Sequence, residues 1–223
     1  TGQIGLEQSL HAATFHSEGD LSFADSARLR AEEFVGLFAH GNISLGSDDI
    51  LASDYTGQLN LEADQDGDGV GGTINLVNSL SAGALEVSGN LVFDGSGEIS
   101  VLNNSNINGS ISTISEEEGV ELTLRSAGPS LSVNGSIVFD QLNLETPGIG
   151  DILVSGDITA TTLTKLGSGS ARIQGPNSSI NNLRIINGVL AISDVSNLPV
   201  DSIFFGDGLL DIDIHEPETV DFS

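Results

Sequence analysis

The chain has 223 residues and carries 32 acidic against six basic side chains, for a formal net charge of −26. Such a charge repels nucleic-acid phosphates and anionic membrane surfaces, because binding to either requires Lys and Arg. The sequence contains no Cys, which excludes a disulfide, a thiol catalyst and a thiolate metal site. Its longest apolar runs, such as residues 34–39, are far shorter than the roughly 18 residues of a membrane helix. We therefore expect neither a nucleic-acid partner nor direct membrane insertion.

A short glycine-led unit recurs along the chain. Of the 28 glycines, 14 are followed two residues later by Ile or Leu, and most of these units have another apolar residue at the fourth position. Glycine permits a turn, and the alternation that follows puts both apolar side chains on one face of a strand. Each unit therefore predicts a turn and a short, half-buried strand. Clear examples are residues 19–23, 41–45, 57–61, 72–76, 97–101 and 208–212.

The spacing of these units predicts a solenoid. Residues 87–94 recur almost unchanged as residues 133–140, a shift of 46 that fits two turns of 23. A coil of roughly 20 to 26 residues with two or three short strands is typical of a parallel β-helix. We predict an all-β, right-handed parallel β-helix of about ten rungs, with residues 1–223 as one solenoid domain, about 45 to 50 Å long. An all-β sandwich is the alternative, because it also has short alternating strands between glycines.

One segment fits this pattern less well. Residues 25–34 could form an amphipathic helix that begins at Asp25, with Glu32 and Glu33 near Arg28 and Arg30. The alternation of apolar residues in the same segment also fits a strand. We favour the strand, because the neighbouring units are strands.

A motif in the last third of the chain resembles a known family. Residues 163–177 and 183–190 are similar to the passenger-associated repeat of autotransporter passengers, which reads L-T-K-x-G-x-G-x-L-x-L-x-G-x-N and then N-x-G-x-L. Ala171 departs from the pattern, which usually has a larger apolar residue there, and Pro176 follows Gly175 directly. The landmarks present are Leu163, Thr164, Lys165, Gly167, Gly169, Ile173, Gly175, Asn177, Asn187, Gly188 and Leu190.

A second segment, residues 59–74, resembles repeats of large, acidic, filamentous-haemagglutinin-like surface proteins. Together the two resemblances imply a β-helical protein that is exported to the surface of a Gram-negative-type bacterium or released from it. They also imply that the chain is a segment or the mature form of a larger exported protein. They imply no catalytic activity.

The strongest candidate metal site is the acidic segment after residue 63. Asp64, Asp66 and Asp68 alternate with Gln65 and Gly67, which suits a hard cation that prefers six to eight oxygen ligands. Ca²⁺ is therefore the candidate cofactor. The segment is not an EF-hand, since its flanks are strand-like and its twelfth position is Asn75. The alternative is an acidic, solvated turn between two rungs.

A second acidic pattern lies near the end of the chain. Asp211, Asp213 and His215 alternate with Ile212 and Ile214, so the two carboxylates and the imidazole share one side of a strand. Paired carboxylates at such spacing can serve a glycosidase or hold a divalent metal. Alternation of acidic and apolar residues is also what any half-exposed strand of an acidic protein shows, and we favour that interpretation.

The sequence therefore predicts an extracellular structural or adhesive protein rather than an enzyme, assembling end to end or continuing as a longer solenoid. Surface glycans or receptors on neighbouring cells are further candidate partners. One alternative is a carbohydrate-active β-helix enzyme, which a single Tyr, the lack of Trp and only six basic residues disfavour. The other alternative is a Ca²⁺-dependent surface-layer protein.

Overall fold

Short strands wound into a coil make up the whole of the described structure. The computed structural model describes residues 10–23, 29–46, 51–53, 57–64, 72–77, 79–193 and 201–212, and in these ranges it contains 24 strands and no helix. Every strand pairing is parallel and joins strands of successive turns, so the chain climbs by one strand spacing per turn. The strands stack into three faces, which are named below in the order in which each turn visits them.

The first face has the longest stack, with ten strands paired in parallel register. β3 joins it through residues 34–39. Its strands are β1 (Leu10–Ser17), β3 (Leu29–Ala39), β6 (Gln58–Ala63), β9 (Ala84–Ser88), β12 (Ser105–Asn108), β15 (Leu131–Val133), β18 (Asp151–Val154), β20 (Ser170–Ile173), β22 (Val189–Ile192) and β24 (Leu209–Ile212).

The second face has eight strands, and most of them begin just after a glycine-led turn. β19 and β21 each run on from this face into the next one. Its strands are β2 (Leu21–Ser22), β4 (Ile43–Ser44), β7 (Thr73–Leu76), β10 (Asn90–Phe93), β13 (Ile111–Thr113), β16 (Ile137–Val138), β19 (Ile158–Leu166) and β21 (Ser179–Ile185).

The third face has nine strands, counting the parts of β3, β19 and β21 that belong to it. β3 contributes residues 29–31, and β19 and β21 contribute residues 162–166 and 182–185. The other strands are β5 (Leu51–Ser53), β8 (Ser79–Ala82), β11 (Gly97–Val101), β14 (Glu121–Ser126), β17 (Gln141–Glu145) and β23 (Ser202–Phe205).

The structure confirms the predicted β-solenoid. Its faces hold ten, eight and nine strands, which agrees with the expected ten or so rungs. The sandwich alternative is wrong, because a sandwich needs antiparallel strands and every described pairing is parallel. The strand interpretation of residues 25–34 is confirmed from Leu29 onward, since β3 begins there, and residues 25–28 lie outside the described ranges.

The near-repeat at 46 residues has a simple structural cause. Val87 pairs with Ile107, and Ile107 pairs with Val133, so the two copies of the repeat lie two turns apart in one column. The intervening turns are 20 and 26 residues long, rather than 23 each. The side chains of such columns fill the interior and are almost fully buried. One column of the second face consists of Leu21, Ile43, Ile74, Leu91, Ile111, Ile137 and Ile158.

Stacked glycines form the first corner, which lies between the first and second faces. A Cβ atom on Gly109 would overlap the carbonyl of Gly89, and Gly135 and Gly156 stand in the same relation to the glycine one turn below. A side chain has no room at these positions, because the backbones of successive turns meet there. Close approach therefore explains why glycine begins the repeating unit.

Candidate functional sites on the solenoid

The predicted Ca²⁺ segment leaves and re-enters the solenoid at the first corner. Asp64 follows β6 directly, adopts a left-handed conformation with φ 60°, and donates its backbone N–H to the carbonyl of Gly41 over 3.2 Å. Gly72 directly precedes β7, and a Cβ on it would lie 3.2 Å from the Cβ of Asp64. The two described ends of the segment, Asp64 and Gly72, therefore lie close together at this corner. Asp66 and Asp68 lie outside the described residues.

The second acidic pattern is placed in part. Asp211 is exposed on the outward side of β24, beside Ala191 of the preceding turn. Asp213 and His215 lie outside the described residues, so the expected alignment of the three groups stays a prediction. Within the described ranges, no group of three or more His, Asp or Glu side chains could hold a metal ion.

Lys165 is the feature that sequence reasoning underestimated, because it is fully buried in an interior column. It pairs with Leu144 on one side and Ile185 on the other. The alternation of inward and outward residues along the strand already predicted this burial. Leu163 faces inward, so the residue two positions later faces inward as well.

The ammonium group of Lys165 turns toward the third corner, between the third and first faces. It donates to Thr146 Oγ1 over 2.6 Å, to the carbonyls of Leu166 and Gly167 over 2.7 and 2.9 Å, and to the carbonyl of Asn187 over 3.5 Å. These acceptors belong to three successive turns. One side chain thus ties three coils together at their corner.

The environment of Lys165 has a clear electrostatic effect. Burial lowers the pKa of its ammonium group from 10.5 to about 8. The hydroxyl and carbonyl oxygens around it satisfy the donors of the charged form, as a buried ammonium requires. Among the described residues, no buried side-chain nitrogen or oxygen lacks a hydrogen bond.

The glycines of the same motif make room for this arrangement. A Cβ on Gly188 would lie 2.9 Å from the Lys165 Nζ, and Gly188 also has a φ of 75°. A Cβ on Gly169 would overlap the carbonyl of Gly150. The apolar landmarks Leu163, Ile173 and Leu190 are buried. Ala171 is also buried, between Ile152 and Leu190, at the position where the motif departs from the family pattern.

Outward-facing amides and hydroxyls bond from turn to turn. The Asn134 side chain donates to the Oδ1 atoms of Asn106 and Asn108 over 3.0 and 2.7 Å. Ser110 donates its backbone N–H and its hydroxyl to Asn90 Oδ1 over 3.0 and 2.8 Å. These bonds form ladders that run along the axis on the outer surface, and they can stiffen the rod without any bound ligand.

The two ends of the described solenoid are less covered than its middle. Apolar side chains that pack against the core but stay partly exposed occur at the first turn, as Phe15, Leu21 and Phe23, and at the last described turn, as Ile203 and Leu210. Phe205 on the last turn is 49% exposed, whereas interior residues of middle turns, such as Ile107, are 0% exposed. The interior columns therefore stop at both ends without a covering layer among the described residues.

Comparisons with protein-family models, with curated proteins and with solved structures found no match to this chain. No described segment forms a helix that is long and apolar enough to span a membrane. The geometry of the solenoid and the motifs in its sequence are therefore the observations that bear on function.

Proposed function

We propose that this chain is an extracellular structural or adhesive rod of a Gram-negative-type bacterial cell surface. The observation that carries the proposal is the unbroken stacking of the first face from β1 to β24, which builds a rod with a largely aliphatic interior. Nine inter-strand steps of roughly 4.8 Å give this face a length of about 43 Å. A rod of this kind extends or displays its outer surface, which here is polar and strongly acidic.

The motif over residues 163–190 supports a location at the bacterial cell surface. The motif resembles the passenger-associated repeat in its sequence, and in the structure its aliphatic landmarks are buried and Lys165 ties three turns. Export to the cell surface as part of a passenger-like protein is the role that this resemblance favours. Surface glycans or receptors on neighbouring cells are the partners we propose for the outer faces.

Labelling of intact cells tests this proposal. Antibodies raised against the purified chain should label the producing bacterium without permeabilisation, and protease added to intact cells should remove the label. Beads coated with the chain should then adhere to neighbouring or host cells more than beads coated with an unrelated acidic protein. Labelling that appears only after permeabilisation would overturn the proposed location at the cell surface.

A Ca²⁺-dependent surface-layer role is the second candidate, and it is favoured by the close approach of Asp64 and Gly72, which flank the segment that contains Asp66 and Asp68. Under this hypothesis a few millimolar Ca²⁺ raises the melting temperature relative to EDTA, as expected of an extracellular Ca²⁺ site. The double variant Asp66→Asn with Asp68→Asn should lose this increase. The matched control, Glu116→Gln with Glu117→Gln, removes two charges from the exposed corner of residues 115–119 and should keep this increase. A flat Ca²⁺ response removes this candidate.

The proposed role needs no catalytic step, and a polysaccharide lyase or hydrolase is the alternative to it. Asp211 is the one member of the candidate acid pair that the described residues include, and it is exposed at the last described turn. Release of reducing sugars from a panel of acidic and neutral polysaccharides, abolished by Asp211→Asn, would replace the structural proposal with the enzymatic one.

A further inference from the structure

The two ends of the rod expose residues of the same inward columns. In the first face, one inward column begins at Ala13 and finishes at Leu210, and the next begins at Phe15 and finishes at Ile212. β1 has a register shift between Leu10 and Ala12. From Ala12 onward, the ten strands keep one register through the nine pairings from β1 to β24. The outermost strand at each end therefore presents the pattern that the strand at the other end would extend.

Both outermost strands also have an unpaired edge. Among the described residues, β24 pairs with β22 alone and β1 pairs with β3 alone, so within the described part of the chain each has one row of backbone N–H and C=O groups with no strand beside it. Such edges are templates for strand addition. A parallel strand that places aliphatic side chains inward at every second position would satisfy the edge and cover the exposed apolar residues together.

We propose that a second copy of this chain covers the last turn, with its β1 added in parallel to β24. In this head-to-tail joint, Phe15 of the second copy stacks on Ile212, and Thr14 of the second copy lies beside Asp211. The joint uses different surfaces of the two copies, so it does not close, and it continues into a filament of stacked rods. This inference rests on the proposed function, because it names the partner of the rod at its ends.

Charge sets the conditions for this assembly. Each copy carries a net charge of −26, so two copies repel one another at low ionic strength. Salt screens this repulsion over a Debye length of about 8 Å at physiological ionic strength. We therefore expect sedimentation velocity to show more and longer oligomers at about 150 mM NaCl than at 10 mM NaCl.

An engineered disulfide tests the register directly, because the chain contains no Cys of its own. In the double variant Thr14→Cys with Asp211→Cys, the two residues of one chain are about 43 Å apart, which forbids an internal bond. Across the proposed joint they lie one strand spacing apart, within the range of a disulfide. The matched control, Ala12→Cys with Asp211→Cys, also uses exposed positions but shifts the register by two residues.

On mild oxidation, the first variant should give a ladder of multimers on a non-reducing gel, at a yield at least several times that of the control. Equal yields for the two pairs, or monomers from both, would overturn the proposed joint. The proposed function has a separate test in the labelling of intact cells, so a failure of cross-linking leaves it standing.

Charge placed at the joint provides a second measurement. Leu210→Lys puts an ammonium group into the proposed interface, whereas Val138→Lys puts it at an exposed position in the middle of the second face. Sedimentation should show that the first variant is monomeric and that the second assembles like the wild type, while circular dichroism shows that both keep their β-structure. Assembly of the Leu210 variant at the wild-type level would contradict the head-to-tail joint.

Discussion

The early and late turns of the solenoid share one core but differ in charge and in turn length. Residues 1–124 contain 20 acidic and two basic residues, whereas residues 141–212 contain seven acidic and three basic residues. Along the first face, successive turns are 20 to 26 residues long from Val35 to Leu131, and 19 or 20 residues long from Ile152 to Leu210. The interior thus tolerates large changes at the corners, because loops add length outside the columns.

The same comparison explains where Lys165 lies. In the late turns the corners are short, and the carbonyls of Leu166, Gly167 and Asn187 converge close to the core. An internal ammonium group can reach all of them at once. The early turns instead hold acidic residues in longer corners such as that of residues 115–119, where Glu116, Glu117 and Glu118 are exposed to water.

Truncation of the core should have the largest effect, and it tests whether the two regions share one interior. Ile107→Ala in the early turns and Ile173→Ala in the late turns each remove a side chain that is 0% exposed. Each should lower the free energy of unfolding by about 3 kcal/mol, since both leave a cavity in a stacked column. Urea unfolding measures this loss. A cost below about 1 kcal/mol for only one variant would show that the cores are not equivalent.

A methyl group at the glycine corner should have the next largest effect. Gly156→Ala places a Cβ against the carbonyl of Gly135, whereas Gly148→Ala, the control, places it where nothing lies within 4 Å. We expect the first variant to lose roughly 2 to 3 kcal/mol of stability through overpacking, and the second to stay within about 0.5 kcal/mol of the wild type. Equal stability of the two variants would contradict the close approach of successive turns at the first corner.

Replacement of the buried lysine tests what is special to the late turns. Lys165→Met keeps most of the apolar stem but removes the ammonium donor from Thr146 Oγ1 and from the carbonyls of Gly167 and Asn187. Stability at pH 7 should therefore fall by about 2 kcal/mol. Chemical denaturation measures the loss, and Lys165→Arg, which keeps a charge with a different shape, separates charge from fit. A Met variant as stable as the wild type would show that the three-turn tie contributes nothing.

The pH dependence of the same residue has a defined sign. The folded pKa of Lys165, about 8, lies below its ordinary value of 10.5, so the unfolded chain binds more protons between these two values. The wild type should therefore gain stability as pH rises from about 8 to 10.5, by up to about 3 kcal/mol. Lys165→Met should lack this gain. Parallel pH profiles of the two proteins would contradict the lowered pKa.

Salt should have the smallest effect and should separate the two regions by charge. Raising NaCl from about 10 to 150 mM screens the repulsion among the acidic side chains of the early turns and changes little in the late turns. Hydrogen exchange should therefore slow more at β9 and β10 than at β20 and β22. The increase in the free energy of local opening at β9 and β10 should be less than about 1 kcal/mol. A uniform response along the rod would show that charge is not what distinguishes the regions.

The sequence predicted the fold well, because a local pattern of about five residues predicts each strand. Gly135, Ile137 and Phe139 form one such unit, and the unit at Gly89, Leu91 and Phe93 two turns earlier matches it so closely that the spacing of turns could be estimated. The phenyl rings of Phe93 and Phe139 even meet, with centroids 6.0 Å apart. The candidate sites were harder to predict. The pattern of Asp64, Asp66 and Asp68 shows which residues could bind a cation but does not show how the loop is arranged.

Sequence alone determined that this chain is built from short, one-sided strands, because glycine followed by alternating apolar residues specifies a turn and a one-sided strand within five residues. The parallel pairings of the tertiary structure then excluded the sandwich alternative. Only the tertiary structure decided that two turns of 20 and 26 residues share the 46-residue repeat, and that the Lys165 ammonium is held by Thr146 and Asn187. Those features depend on which residues about twenty positions apart become neighbours. A local pattern does not encode that choice, and the stacking of whole turns fixes it.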